Sequence, residues 1–260
     1  MKIASFNING IKARLPALLD WLRETKPDVA MLQEIKSVDE LFPRDDIEAL
    51  GYEIHAHGMK GFNGVAFLSK VPLEDVVRGL PGDDQDIQTR YIEATVIGKK
   101  SAVRLCNLYL PNGNPTPGPK YDYKLAWMDR LYNRAVELMK IEEPFLMAGD
   151  YNIIPQAEDC WDLKPWIDDA AYLPESRAAY RRILNLGLTD AFRACDQTAL
   201  NYTFWDYQAG AWNKNNGIRI DHFLLSPSCA DMLIDCQTDR DCRAKEKPSD
   251  HVPVWVEIDI

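Results

Sequence analysis

Short runs rich in valine, isoleucine, leucine and phenylalanine recur along the chain, at residues 2–7, 29–34, 64–68, 91–97, 103–110, 145–149, 219–225 and 252–258. Runs of that length, bounded by polar and turn-forming residues, predict strands. Between them the period changes. In residues 121–140 the apolar positions Leu125, Met128, Leu131, Tyr132, Ala135 and Leu138 recur at three- and four-residue steps, which predicts an amphipathic helix, and shorter helices fit residues 15–24 and 174–186. Strands and helices alternate, yet several strands follow one another like hairpins. The pattern therefore predicts an α/β protein of two packed sheets with helices outside, rather than a purely parallel doubly wound sheet. There is no internal repeat, low-complexity tract or long linker, so residues 1–260 read as one continuous domain.

Many of the apolar runs begin or end on an oxygen-bearing or acid–base side chain: Phe6-Asn7, Gln33-Glu34, Leu108-Tyr109, Asp150-Tyr151-Asn152, Ile220-Asp221 and Asp250-His251. Strand ends lying side by side would gather these groups into one polar cluster at a sheet edge. Asp150 and Asn152 are two apart, and in extended chain such residues face the same way. Glu34, Asp250 and Asn7 could complete a shell of oxygen ligands. Oxygen donors suit a hard cation such as Mg²⁺, with Mn²⁺ as a substitute. Zinc is disfavoured, because the chain has four histidines and none stand at ligand spacing. Each motif also has a plainer reading. Gly149-Asp150-Tyr151-Asn152 is good turn chemistry, Tyr109 a core aromatic, Arg219 with Asp221 a structural ion pair, and His251 a partly buried histidine with one partner. The joint occurrence is what favours a site.

Composition sets limits on this picture. With 46% hydrophobic and 27% charged residues, the chain has the make-up of a globular protein with a large core. No apolar run approaches the roughly 18–20 residues needed to span a bilayer, and the N-terminal apolar stretch stops at Asn7, short of a signal-peptide pattern. These features predict a cytoplasmic protein without a membrane partner. The six cysteines form no CxxC pair and are expected to be free, buried thiols. A net charge of −10 argues against indiscriminate binding to a polyanion, so any nucleic-acid contact must be local or helped by metal.

The ordered set Phe6-Asn7-Ile8-Asn9-Gly10-Ile11, Leu32-Gln33-Glu34-Ile35-Lys36, Gly64-Val65-Ala66 and Asn107-Leu108-Tyr109-Leu110-Pro111-Asn112 carries a resemblance that spans nearly the whole chain. It continues through Ala148-Gly149-Asp150-Tyr151-Asn152-Ile153, Tyr202-Thr203-Phe204-Trp205, Arg219-Ile220-Asp221-His222 and Glu246-Lys247-Pro248-Ser249-Asp250-His251. In these motifs and their order the sequence resembles the exonuclease III-type apurinic/apyrimidinic (AP) endonucleases of the endonuclease/exonuclease/phosphatase superfamily. Two positions depart from some members, which carry an acid where Asn9 stands and a tryptophan where Ile218 stands.

The resemblance implies a four-layered α/β sandwich of two packed mixed β-sheets flanked by helices, with the active site at one edge. It implies a Mg²⁺-dependent DNA repair nuclease that hydrolyses phosphodiester bonds at abasic sites and from the 3′ ends of duplex DNA. Asn7, Glu34 and Asp250 would hold or orient the metal, and the candidate ligand set is Asn7, Glu34, Asp150, Asn152, Asp250 and His251. Asp150 would orient or deprotonate the attacking water and Asn152 would position it. His251, held by Asp221, would hydrogen-bond a phosphate oxygen, and Tyr109 would stabilise developing negative charge. Phe204, Trp205 and Ile220 would line a pocket for a baseless sugar, and the loop over residues 111–120 would embrace the duplex or simply connect. Candidate DNA contacts are Lys60, Lys99, Lys100, Lys120, Lys124, Arg177, Arg181, Arg240, Arg243, Lys245 and Lys247, on a protein expected to be a monomer. The competing readings are a phosphoinositide or other phosphatase of the same superfamily, a non-catalytic nucleic-acid binding module, and an unrelated α/β protein.

Overall fold

The computed structural model describes residues Met1–Ile260. In chain order the strands are β1 (Lys2–Asn7), β2 (Val29–Gln33), β3 (Glu53–His57), β4 (Val65–Ser69), β5 (Leu73–Arg78) and β6 (Tyr91–Ile97). There follow β7 (Ala102–Tyr109), β8 (Phe145–Asp150), β9 (Thr189–Asp190), β10 (Asp221–Leu225), β11 (Leu233–Thr238) and β12 (Val254–Ile258). They form two six-stranded sheets, ordered β11-β12-β1-β2-β4-β3 and β5-β6-β7-β8-β10-β9. Each sheet has one parallel pair at its centre, β1 with β2 and β7 with β8, and antiparallel pairs elsewhere. A parallel pair requires a crossover. The crossovers are helix α1 (Ile11–Thr25) and, with the short α2 (Arg44–Glu48) between them in the chain, the long α3 (Pro119–Ile141).

The helices lie on the outer faces. One apolar cluster joins Leu18, Trp21 and Leu22 of α1 to Ala4, Phe6, Leu32 and Leu68 of the first sheet. Another joins Trp127, Leu131 and Leu138 of α3, and Tyr180 and Ile183 of α4 (Pro174–Leu184), to Cys106, Leu108 and Met147 of the second. The largest cluster, with Ile3, Met31, Phe67, Leu105, Leu146 and Phe223, fills the space between the sheets. The result is the expected four-layered sandwich.

Every strand expected from the apolar runs is present, and the four that went unseen, β3, β5, β9 and β11, are the four sheet edges. Edge strands bury less of their surface and carry charge: β5 reads Leu-Glu-Asp-Val-Val-Arg and has no buried residue. On α3 the stripe is rotated from the expected one. Its buried face is Tyr121, Lys124, Trp127, Met128, Leu131, Ala135 and Leu138, while Leu125 and Tyr132 are half-buried.

Polar side chains also cross between the sheets. Gln33 donates from Nε2 to Asn107 Oδ1 (2.8 Å) and to Ser5 Oγ (3.0 Å). Asn107 donates to the carbonyls of Leu32 (3.1 Å) and Ala66 (3.0 Å) in the facing sheet. All of these groups are buried, so losing a partner forfeits a hydrogen bond without gaining water. Beneath β10, Arg219 is buried with Asp159 and Asp190, and donates to Nδ1 of the buried His222 (3.1 Å). His222 Nε2 faces the carbonyl of Ile153 at 3.0 Å, which fixes the neutral tautomer protonated on Nε2.

Replacing Asn107 by alanine is expected to lower the free energy of unfolding by about 2–3 kcal/mol, measured by chemical denaturation; a loss within error of zero would contradict the cross-sheet role. Burial, reinforced by Arg219, pushes His222 down to about 4 from an ordinary 6.5. Its folded pKa lies below its unfolded one, so the unfolded chain takes up the proton first as the pH falls. That contribution, about 3 kcal/mol, is whole above pH 6.5 and is lost between 6.5 and about 4. His222→Gln should therefore flatten the pH dependence of stability in that window relative to the parent, and an unchanged slope would contradict the assignment.

Candidate functional site

The two parallel pairs point their carboxyl ends to the same edge of the sandwich, and the polar strand ends meet there. Asn7 ends β1, Glu34 follows β2, Tyr109 ends β7 and Asp150 ends β8. Asp221 opens β10 and is paired in register with Asp150. His251 enters just before β12, which pairs with β1. The long connections that leave this edge, residues 58–64, 79–90, 111–118, 151–173 and 239–253, surround the cluster.

Asn7 is the bridge between sheets. Its Nδ2 donates to Glu34 Oε1 (3.0 Å) and to Asp150 Oδ2 (2.9 Å), and its Oδ1 accepts from the backbone N–H of Asn9 (3.0 Å). A backbone N–H can only donate, so the amide orientation is determined. Asn7 thus orients both carboxylates as a donor, with one lone pair of its Oδ1 already engaged by Asn9. Glu34, Asp150 and His251 each bring a ligating atom to within 4.8 Å of the others. Asp250 stands beside this group, where its Oδ1 accepts from Asn9 Nδ2 (2.9 Å). Asn152 Nδ2 donates to the carbonyl of Leu110 (2.9 Å) and its Oδ1 accepts from Asn112 (3.3 Å), so each end of this amide is anchored and keeps one further hydrogen or lone pair for a ligand.

The electrostatics follow from burial and from these contacts. Burial pushes the carboxyl of Asp150 up to about 7, with His251 opposing and Asp221 and Glu34 reinforcing. For Glu34 burial acts upward too, but hydrogen bonds from Asn7 and Lys36 and the Lys36 charge outweigh it and hold the group below the usual range; the Lys36 ammonium is 2.8 Å from Glu34 Oε2. Burial alone would lower His251, yet Asp221 at 2.8 Å from Nδ1 and Asp150 at 3.7 Å from Nε2 raise it to about 10. In the metal-free protein these two carboxylates favour the charged imidazolium, a donor at both nitrogens. Burial, with Glu34 and Asp150 nearby, raises Tyr109 well above 10, so its hydroxyl stays protonated. Arg90 lies over its ring at 4.8 Å.

Six non-glycine residues at this edge have positive φ: Asn9 (46°), Glu34 (50°), Lys36 (50°), Asn63 (52°), Asn152 (48°) and Lys247 (45°). Such conformations cost roughly 1–3 kcal/mol each and persist where surrounding contacts over-determine them.

The remaining expectations divide. Phe204 lies edge-on to His251 at 5.0 Å, and Ile220 joins Ile154, Cys160, Ala171 and Ile218 in an apolar cluster against which Phe204 packs. Trp205 does not join them. It has no exposed surface and packs edge-on to Trp212 at 4.9 Å in a separate cluster, so it cannot line an open pocket. Among the basic candidates, Lys124 is buried and Arg243 is buried with Nη2 on the carbonyl of Trp205. Lys99 and Lys100 occupy the β6–β7 turn, a full strand length of roughly 20 Å from the site edge. Arg177 stacks on Tyr172 and Lys245 pairs with Glu24, whereas Lys60, Lys120, Arg181, Arg240 and Lys247 are exposed. All six cysteines are free, with Cys195 exposed and Cys242 half-buried. No helix is long and apolar enough to cross a membrane.

Both the two-sheet sandwich and the acid-lined edge are those of one class of phosphoester hydrolase folds, and the chain belongs to the Endonuclease/Exonuclease/phosphatase family, whose profile matches residues 4–251. It is 37% identical to "Exodeoxyribonuclease III" of Haemophilus influenzae, over 99% of this chain and 100% of that protein. The AP endonuclease of Archaeoglobus fulgidus has the same fold, with a TM-score of 0.94 and 36% identity over 100% of both chains. So has the 3′ phosphatase NExo from Neisseria, solved with a product DNA hairpin, at a TM-score of 0.94 and 36% identity over 100% of both chains.

The His251 ring of the metal-free protein is expected to titrate above pH 9 by NMR, and Asp221→Asn should lower that midpoint by at least about one unit. A parent midpoint near 6.5 would contradict the ion-pair geometry.

Proposed function

We propose that this protein is a Mg²⁺-dependent nuclease of duplex DNA, cutting at abasic sites and from 3′ ends. The observation that carries the reading is the pair of carboxylates formed by half-buried Glu34 and buried Asp150, facing the Asp221–His251 ion pair across the seam of the two sheets. The full-length likeness to an exodeoxyribonuclease III and to an AP endonuclease supports it. Exposed Lys60, Lys120, Arg240 and Lys247 offer local phosphate contacts on an otherwise acidic chain.

The donor set fits a hard divalent cation. Glu34 and Asp150 would hold it, with Asp250 beside them through Asn9 and Asn7 orienting both carboxylates. When bound, such an ion polarises the scissile phosphate and stabilises the leaving 3′-oxygen. Asp150 orients the attacking water and accepts its proton. Asn152 positions that water. The imidazolium of His251 donates from Nε2 to a non-bridging phosphate oxygen, and Asp221 holds the ring through Nδ1. Tyr109, kept protonated, donates to the charge that develops on phosphate. Phe204, Ile218 and Ile220 form the apolar wall beside His251 against which a baseless sugar packs. Its partner would be duplex DNA, on which it would act as a monomer in the cytoplasm.

A second activity on the same site, release of phosphate from 3′ ends, is favoured by the likeness to the Neisseria 3′ phosphatase with its DNA hairpin.

The test is incubation of the purified protein with three duplexes, one carrying an internal abasic analogue, one intact and one ending in a 3′-phosphate, and with a phosphoinositide, in Mg²⁺ or in EDTA. Incision at the abasic position in Mg²⁺ alone is expected, with shortening of the intact duplex, and Glu34→Ala should lower the rate by about 100-fold or more. Activity undiminished by EDTA would remove the metal, and phosphate release from the lipid without DNA cleavage would move the protein to the phosphatase branch.

A further inference from the structure

We propose that Lys124 is a positioning residue for the reaction, holding Asn152 in the conformation in which it faces the attacking water. The proposal rests on the reading of Asn152 given above and deepens it. Lys124 lies on the buried face of α3, has no exposed surface, and donates from Nζ to the carbonyl oxygens of Asn152 (2.7 Å) and Asn112 (3.0 Å). The helix that carries it is the crossover between β7 and β8, and the two carbonyls belong to the segments leaving those strands at the site. One side chain therefore ties together the two chain segments that continue from Tyr109 and Asp150.

Asn152 needs such a tie. Its φ is 48°, a left-handed conformation that asparagine tolerates but does not prefer. Its N–H donates to Asp150 Oδ1 (2.8 Å), its Nδ2 donates to Leu110 O (2.9 Å), and its Oδ1 accepts from Asn112 (3.3 Å). Lys124 supplies the contact to its remaining polar group, the backbone carbonyl. Burying the end of a lysine is costly, so much so that burial lowers its pKa to about 7, and an apolar residue would fill this position on the stripe at less cost, so the lysine is explained by the carbonyls it serves. The adjacent loop has made room for it. Gly113 has φ 92°, and a Cβ there would stand 2.6 Å from Lys124 Cδ.

Lys124→Met keeps the length of the stem and removes the donors. On the abasic duplex with Mg²⁺, kcat is expected to fall by about 30- to 100-fold while KM changes by less than about threefold. In an Asn152→Ala background the same change should cost less than about threefold, because the lysine acts through Asn152. A full repeat of the loss in that background, or a rise in KM at unchanged kcat, would overturn the proposal.

A readout independent of cleavage separates this from failure of the functional reading. By NMR, the side-chain amide protons of Asn152 should exchange with solvent at least about tenfold faster in Lys124→Met than in the parent. Unchanged exchange overturns the positioning role whatever the activity, whereas faster exchange with parent-like cleavage would mean that Asn152 is held by Lys124 but does not serve the reaction. Should Lys124→Met not fold, Gly113→Ala displaces the stem with the ammonium retained, and the same two measurements apply with smaller changes in the same direction.

Discussion

The side-chain amide of Asn7 lies between two carboxylates that come from different sheets, giving one hydrogen to Glu34 and the other to Asp150. Two carboxylates so placed repel each other, and leaving buried Asp150 and half-buried Glu34 unpaired would be costly. Their charge is met from three sides: by Asn7, by the Lys36 ammonium on Glu34, and by the His251 imidazolium facing Asp150. The architecture makes this meeting possible. Each sheet carries a single parallel pair, each pair ends at the same edge, and the Gln33–Asn107 contact holds the two sheets together one residue below Glu34 and two below Tyr109.

Backbone strain gathers at the same place. Asn9, Glu34, Lys36 and Asn152 all adopt positive φ, and each is bound by hydrogen bonds to its neighbours in the cluster or to a carbonyl leaving a strand. Stability supplied by the three apolar layers is in part spent in aiming these side chains. The buried Arg219–Asp159–Asp190 group below β10 belongs to the same design. It fixes the entry of the strand whose first residue, Asp221, grips His251.

Much of this was legible in the sequence because central strands are buried on both faces and read as continuous apolar runs, whereas the four edge strands, half in water, do not. The polar residues at strand ends were equally plain, and Tyr109, Asp150, Asn152, Asp221 and His251 do converge with Glu34 and Asn7. What escaped is what depends on which way an amide or an ammonium points. The two hydrogen bonds that Asn7 donates to Glu34 and Asp150 cannot be read from its place in the chain; Trp205 follows Phe204 directly and for that reason faces the opposite way. Lys124 reads as one more basic residue, yet its place on the stripe between Tyr121 and Met128 signals burial, while nothing in the sequence points to the bonds that Lys36, Asn9 and Asn112 make. Lys99 and Lys100 show that clustering in sequence says nothing of which end of a strand a turn occupies.

In the proposed function the seam between the sheets takes a divalent cation on Glu34 and Asp150. Titration of the metal-free protein with Mn²⁺, followed by the paramagnetic broadening of the His251 ring signals, tests it without reference to turnover. Saturable broadening that is displaced by Mg²⁺ and abolished in both Glu34→Gln and Asp150→Asn is the predicted result; broadening of equal affinity in either variant, or none in the parent, would contradict the account.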